Sequence, residues 1–150
     1  MAEESCLFCK LVKKKSPVSC FYEDERTMAF LAIRPINEGH TLVMPRKHFE
    51  NIYDLPDEEI VHLFKIVKKV AFAVKESVNA GGITVMQHNG KATGQQIFHV
   101  HVHVIPRYEE QELPIAKRLH EVDRARLDEV ADRIGEYMSS RSLLSESTGQ

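Results

Sequence analysis

The sequence predicts an α+β domain: a five-stranded antiparallel sheet crossed by one long helix, with a second helix near the C-terminal end. Two observations carry this. Three runs of strand character precede a helix-period segment, and two more follow it, bracketing a glycine-containing loop. There is no alternation of strands with helices, so a parallel sheet has no support.

Taken in order, "SCFYED" (19–24), "TMAFLA" (27–32) and "HTLVMPR" (40–46) read as strands separated by charged or Pro/Asn/Gly turn signals. From Asp54 to about Val78, the residues Ile60, Leu63, Phe64, Val67, Val70, Ala71 and Val74 recur at helical spacing. Asp54 is the expected N-cap, and Gly81-Gly82 lie past the end. "ITVMQ" (83–87) and "FHVHVHVI" (98–105) return to strand character around "HNGKATGQQ", a loop able to close a hairpin. Pro106 is expected to end the last strand. A second amphipathic helix is predicted over 122–138, with Leu127, Val130, Ala131, Ile134, Tyr137 and Met138 on one stripe. The domain is thus 1–138, and 139–150 ("SSRSLLSESTGQ") reads as a flexible tail.

With 150 residues the chain is long enough to enclose a real core as one domain. A net charge of −2 offers no global attraction for nucleic acid or an anionic membrane, and Lys13-Lys14-Lys15 is a short solvated run. No apolar stretch reaches membrane-spanning length. Three cysteines do not suit a secreted disulfide framework, so a reducing, cytoplasmic compartment is expected.

The chemistry concentrates in "HVHVHVIPR" (99–107). On a strand, alternate residues share a face, so His99, His101 and His103 form a column opposite Val100, Val102 and Val104. A plain solvent face would be served by Thr, Lys or Glu. Two adjacent imidazoles could share an ion, but three on a regular strand hardly could: the outer Cα atoms would stand about 13 Å apart, against metal–nitrogen bonds of about 2 Å. The histidines therefore have different tasks. Cys6-x2-Cys9 alone stays open between a redox pair, separate structural thiols and half of a metal site.

"HVHVHVIPR" resembles the histidine-triad motif of the HIT family of nucleotide hydrolases and transferases. "CLFCKLV", "AFLAIRPINEGHTLVMPRKHF" and "HNGKATGQQIFHVHVHVIPRY" resemble HIT segments in the same order and cover most of residues 6–108. The resemblance implies that His101 is the nucleophile, attacking the α-phosphate of a purine nucleotide derivative to form a nucleotidyl-imidazole that water hydrolyses. His103 would help protonate the leaving group, and His40 would support the triad from a neighbouring strand. On the residues alone, His40 is equally a structural histidine. The resemblance places the nucleotide against Phe8, Phe30 and Ile33 at the base and against His88, Asn89, Gly94, Gln95 and Gln96 near the phosphate.

The zinc-containing, bacterial-type (Hint-like) branch of the family further implies a structural Zn²⁺ on Cys6, Cys9, His48 and His99. Two thiolates and two neutral imidazoles balance that ion in a closed tetrahedral site. The branch also implies a homodimer whose two sheets join into one of ten strands. Two departures stand out: Ala32 occupies a position where relatives carry Asp or Asn against the ribose, and His88 one where they often carry Asn or Gln. The activity implied first is that of a nucleoside phosphoramidase releasing AMP or GMP. Cleavage of dinucleoside polyphosphates is the alternative enzyme reading. A zinc-stabilised nucleotide-binding or interaction module with little turnover is the alternative of another class.

Overall fold

A computed structural model describes residues 3–111 and 121–140. Its elements are α1 (Leu7–Val12), β1 (Cys20–Glu23), β2 (Thr27–Leu31), β3 (Thr41–Pro45), α2 (Asp57–Ser77), β4 (Gly82–Gln87), β5 (Val102–Arg107) and α3 (Arg124–Ser140). The strands form one antiparallel sheet in the order β1-β2-β3-β5-β4. The predicted α+β class and five-stranded sheet are both present. Among the described residues, no helix is long and apolar enough to cross a membrane.

The sheet has two differently used faces. Val43, Val100, Val102 and Val104 pack with Leu63, Ile66, Val70 and Val74 of α2 and with Leu127, Val130 and Ile134 of α3. Burying each of these side chains contributes roughly 1.5–3 kcal/mol, so this face holds the domain together. The opposite face carries Met28, Phe30, Leu42 and Met44, covered by Phe8, Cys9 and Leu11 of α1. The short helix is the lid on the face where the histidines stand.

Three of the boundaries that differ from expectation have an identifiable cause. The long helix begins at Asp57 with Pro56 as its N-cap, while Asp54 closes a separate 3-10 turn, Ile52–Asp54. Pro56 already has the helical φ of −60° and lacks a donor to lose, which suits it to that end. The last strand starts at Val102, not Phe98, because its lead-in bonds to the chain after β3: the Val100 N–H donates to the Phe49 carbonyl at 2.8 Å. Pro106 does not end the strand but pairs with Ile83, and β5 runs to Arg107. The Pro106 carbonyl turns away from β4 to accept from Asn37 Nδ2 at 2.7 Å. The ring nitrogen points the same way, so the β4 ladder needs nothing from it. The second helix reaches Ser140, and the rest of the expected tail, 141–150, lies outside the described residues.

Candidate active site and metal centre

The metal-type cluster is built where α1 begins. Cys6 caps that helix, its Sγ accepting the Cys9 N–H at 3.4 Å, and one turn brings Cys9 to the same side. The Nδ1 atom of His99 lies 3.5 Å from both sulfurs, and Nδ1 of His48 lies 3.3 Å from Cys9 Sγ. All four ligand atoms fall within 4.8 Å of one another. Zn–S and Zn–N bonds of about 2.3 and 2.0 Å give tetrahedral S···N edges of roughly 3.5 Å. The spacing fits a zinc ion.

Protonation fits as well. The Nε2–H of His99 donates to the Pro45 carbonyl at 2.7 Å, which leaves the Nδ1 lone pair facing the sulfurs. Burial holds His99 down at about 4, assisted by the neighbouring His48 and His101, so it is neutral at pH 7 as a ligand must be. Burial, with Cys6 alongside, pushes the Cys9 thiol up to about 12. A cation entering here therefore displaces thiol protons. His48 Nε2 is buried with no partner among the described residues.

The other two triad histidines face a cleft of about 380 Å³ lined by α1, the β2 end and the β4–β5 loop. Their tautomers follow from the hydrogen bonds. The Nδ1 of His101 lies 2.7 Å from the His99 carbonyl, which can only accept, so the His101 proton sits on Nδ1 and its lone pair on Nε2. For His103 the assignment runs through His40. The Ile36 backbone N–H donates to His40 Nδ1 at 3.0 Å, which places the His40 proton on Nε2. That Nε2 is 3.0 Å from His103 Nδ1, which must accept, so His103 carries its proton on Nε2. One cleft thus holds a histidine with a lone pair on Nε2 beside one with a proton there, ring centroids 5.1 Å apart. This is the equipment for nucleophilic attack and leaving-group protonation.

The β4–β5 loop forms the opposite wall. Gly90 and Gly94 have φ values of +99° and +95°, a region that costs other residues strain, and a side chain there would enter open space. The Gln95 side chain braces the loop from inside, accepting from the Gly90 N–H at 2.7 Å and donating to the Glu50 carbonyl at 2.7 Å. Gln96 lines the cleft from an exposed position. His88 stands edge-on to His103 at 5.7 Å. The apolar end is made by Phe8, which meets Phe30 and His101 edge-to-face at 5.5 and 5.0 Å, with the exposed Ile33 at the rim.

His40, behind His103, lies outside the cleft lining, and of the residues expected against the nucleotide Asn89 alone stands apart from it. Its Oδ1 accepts from the Ile52 N–H and from Gln87 Nε2, both at 2.8 Å, so the side chain ties the loop to the segment before α2. Leu7, Leu11, Ser16, Arg34, Glu121 and Arg124 also line the cleft. None is a candidate by sequence, and only the folding of α1 and the lead-in to α3 against β2 brings them there. A smaller cavity of about 120 Å³ lies between the Pro35–His40 loop and α3, and neither His101 nor His103 lines it.

An α+β fold carrying a histidine cleft beside a Cys₂His₂ cluster defines a histidine-triad protein. The HIT domain profile matches residues 13–110, and the chain belongs to the HIT family. It is 41% identical over 129 residues to an uncharacterised HIT-like protein of Methanocaldococcus jannaschii, covering 86% of this chain and 98% of that one. It is 37% identical over 109 residues to the adenosine 5'-monophosphoramidase of Saccharomyces cerevisiae, covering 73% and 66% of the two chains. A zinc-bound histidine triad family protein of Mycobacterium smegmatis superposes with a TM-score of 0.83 at 32% identity, covering 94% and 98%.

Proposed function

We propose that this protein hydrolyses purine nucleoside 5'-phosphoramidates, releasing AMP or GMP through a covalent intermediate on His101. The single observation that carries the reading is the His99 carbonyl, which fixes the His101 proton on Nδ1 and so puts the lone pair on Nε2. Similarity to the yeast phosphoramidase supports the substrate class.

In the first step His101 Nε2 attacks the α-phosphorus and a new P–N bond forms. The scissile P–N bond breaks, its electron pair goes to the departing amine, and His103 Nε2 supplies the proton that amine needs. In the second step water attacks the same phosphorus, gives a proton to His103 and displaces His101. Splitting one displacement into two lowers each barrier. Backbone N–H groups around Gly94 and the donors of Gln96 and His88 stabilise the phosphoryl oxygens, while Phe8, Phe30 and Ile33 receive the base.

Cys6, Cys9, His48 and His99 would hold a structural zinc ion, which contributes folding energy by tying α1 to the entrance of β5. Because His99 lies two residues before His101 and supplies its carbonyl to that ring, the cluster also fixes the nucleophile's position. We further propose that the protein is a homodimer.

The test is release of AMP from an adenosine 5'-phosphoramidate, with His101→Ala alongside. The expected result is turnover by the wild type that falls at least about a thousandfold in the variant, and a mass increment on His101 after rapid quenching. Full turnover by His101→Ala would overturn the mechanism.

A further inference from the structure

We propose that Glu121, held by Arg34, is the residue that recognises the ribose hydroxyls of the nucleotide; this rests on the reading of the cleft as a nucleotide site. Along the β2 wall the cleft is lined by Phe30, Leu31, Ala32 and Ile33, whose side chains offer no hydrogen-bond acceptor. A ribose lying between the apolar end and the phosphate loop presents two adjacent O–H donors. Donors pressed against an apolar wall need an acceptor to replace the water they lose. Among the described residues lining the cleft, Glu121 supplies the sole carboxylate.

Its placement is specific. The lead-in to α3 is tied to the end of the β2 wall, the Val122 N–H donating to the Ile33 carbonyl at 3.0 Å. That bond sets Glu121 beside the same wall. Its Oε1 accepts from Arg34 Nη2 at 3.1 Å, and both side chains keep more than half of their surface exposed, so the second carboxylate oxygen is accessible to a ligand. A carboxylate accepts two hydrogen bonds from neighbouring hydroxyls with good geometry. The guanidinium orients that carboxylate before the ligand arrives. Arg34 is a positioning residue and Glu121 a specificity-determining one.

The experiment compares kcat/KM for an adenosine 5'-phosphoramidate and its 2',3'-dideoxy counterpart, in wild type and in Glu121→Ala. Isothermal titration with AMP and 2',3'-dideoxy-AMP gives the same comparison without turnover. In the wild type the ribose compounds are expected to be favoured at least about tenfold, the usual loss when a charged acceptor loses its partners. In Glu121→Ala that ratio should fall to near one, because the ribose substrate drops to the level of the dideoxy one. Glu121→Gln, which retains one acceptor, should fall between. A wild-type ratio near one, or an undiminished ratio in Glu121→Ala, overturns the role of Glu121 and leaves the nucleotide reading standing. Failure of AMP to bind, with no turnover, overturns both.

Discussion

His40 Nε2 lies 3.0 Å from His103 Nδ1, and the two rings are almost completely buried, at 1% and 3% exposure. The pair connects the cleft to a backbone amide on the loop before β3, since the Ile36 N–H fixes which nitrogen of His40 carries a proton. A main-chain hydrogen bond thereby decides the tautomer of His103, the proposed acid, two strands away in sequence. The His40→Ala variant should keep substrate affinity but lower kcat by about 10²-fold, the lower end of what a general acid contributes. Steady-state kinetics on the phosphoramidate, with KM and kcat resolved separately, checks this. A change confined to KM would show that His40 does not act through His103.

Loss of zinc should be felt as loss of stability. The four ligand atoms sit on α1, on the chain after β3 and on the approach to β5, so an ion there joins three segments distant in sequence. Metal analysis should find one zinc per chain. The Cys9→Ala variant should bind less than one zinc and unfold at a midpoint lower by several degrees, since structural sites of this kind contribute directly to folding. A strong chelator should lower the wild-type midpoint and leave the variant's nearly unchanged. Equal midpoints for the two proteins in zinc-replete buffer would refute the structural role.

Acid stability should depend on Asp24, a feature the sequence did not mark. Burial opposes ionisation of its carboxyl, but hydrogen bonds from Tyr22, the N–H groups of Arg26 and Thr27, and His62 outweigh it and hold the group below its ordinary value of 3.8. His62 on α2 meets it at 2.9 Å, so this one side chain links the β1–β2 turn to the long helix. The sign follows from linkage: a depressed folded-state pKa means the unfolded chain binds protons more readily. Asp24 thus contributes stability above about pH 4, and that contribution is lost as pH falls through its folded value. The Asp24→Asn variant should be less stable than wild type at pH 7, and the gap should close on acidification. Denaturant midpoints measured from pH 7 down to pH 3 test it, and a gap constant with pH would contradict it.

What was legible in the sequence, and what was not, divides along physical lines. Alternation in "HVHVHVI" placed the valines in the α2 core and the histidines on the other face, because side-chain period survives even where ladder hydrogen bonds do not. The same alternation suggested a strand from Phe98, whereas the Phe49 carbonyl takes the Val100 N–H and delays β5 to Val102. That competition is long-range and leaves no local signal. Spacing of Cys6 and Cys9 left several chemistries open, and it needed His48 and His99, 39 and 93 residues away from their sulfur partners, to become a four-donor cluster. Pro106 was misread because a proline in a strand is costly only when its missing donor faces a partner strand. Glu121 was invisible for another reason: one carboxylate in a charged stretch acquires meaning only when Val122 bonds to Ile33.

The solvent-facing side of α2 supplies the last prediction. Val61, Phe64 and Phe72 fall on one side of the helix, opposite the buried Leu63, Ile66, Val67 and Val70, and are 55%, 40% and 46% exposed. Next to this helix runs β4, which among the described residues is an edge strand paired only to β5, and on which Val85 is 46% exposed although its partner Val104 lies in the core. Apolar side chains along a helix beside an unpaired strand edge expose both a hydrophobic stripe and a row of backbone donors and acceptors. A second copy of the same chain would cover both at once by an isologous contact, joining two sheets edge to edge. Sedimentation equilibrium should therefore give twice the 17.2 kDa chain mass at micromolar concentration. Phe64→Asp, which places a charge in the stripe without touching the α2–sheet core, should shift the species to the monomer. A wild-type protein sedimenting as a monomer would refute the dimer, and a Phe64→Asp protein that stays dimeric would move the interface off this face of α2.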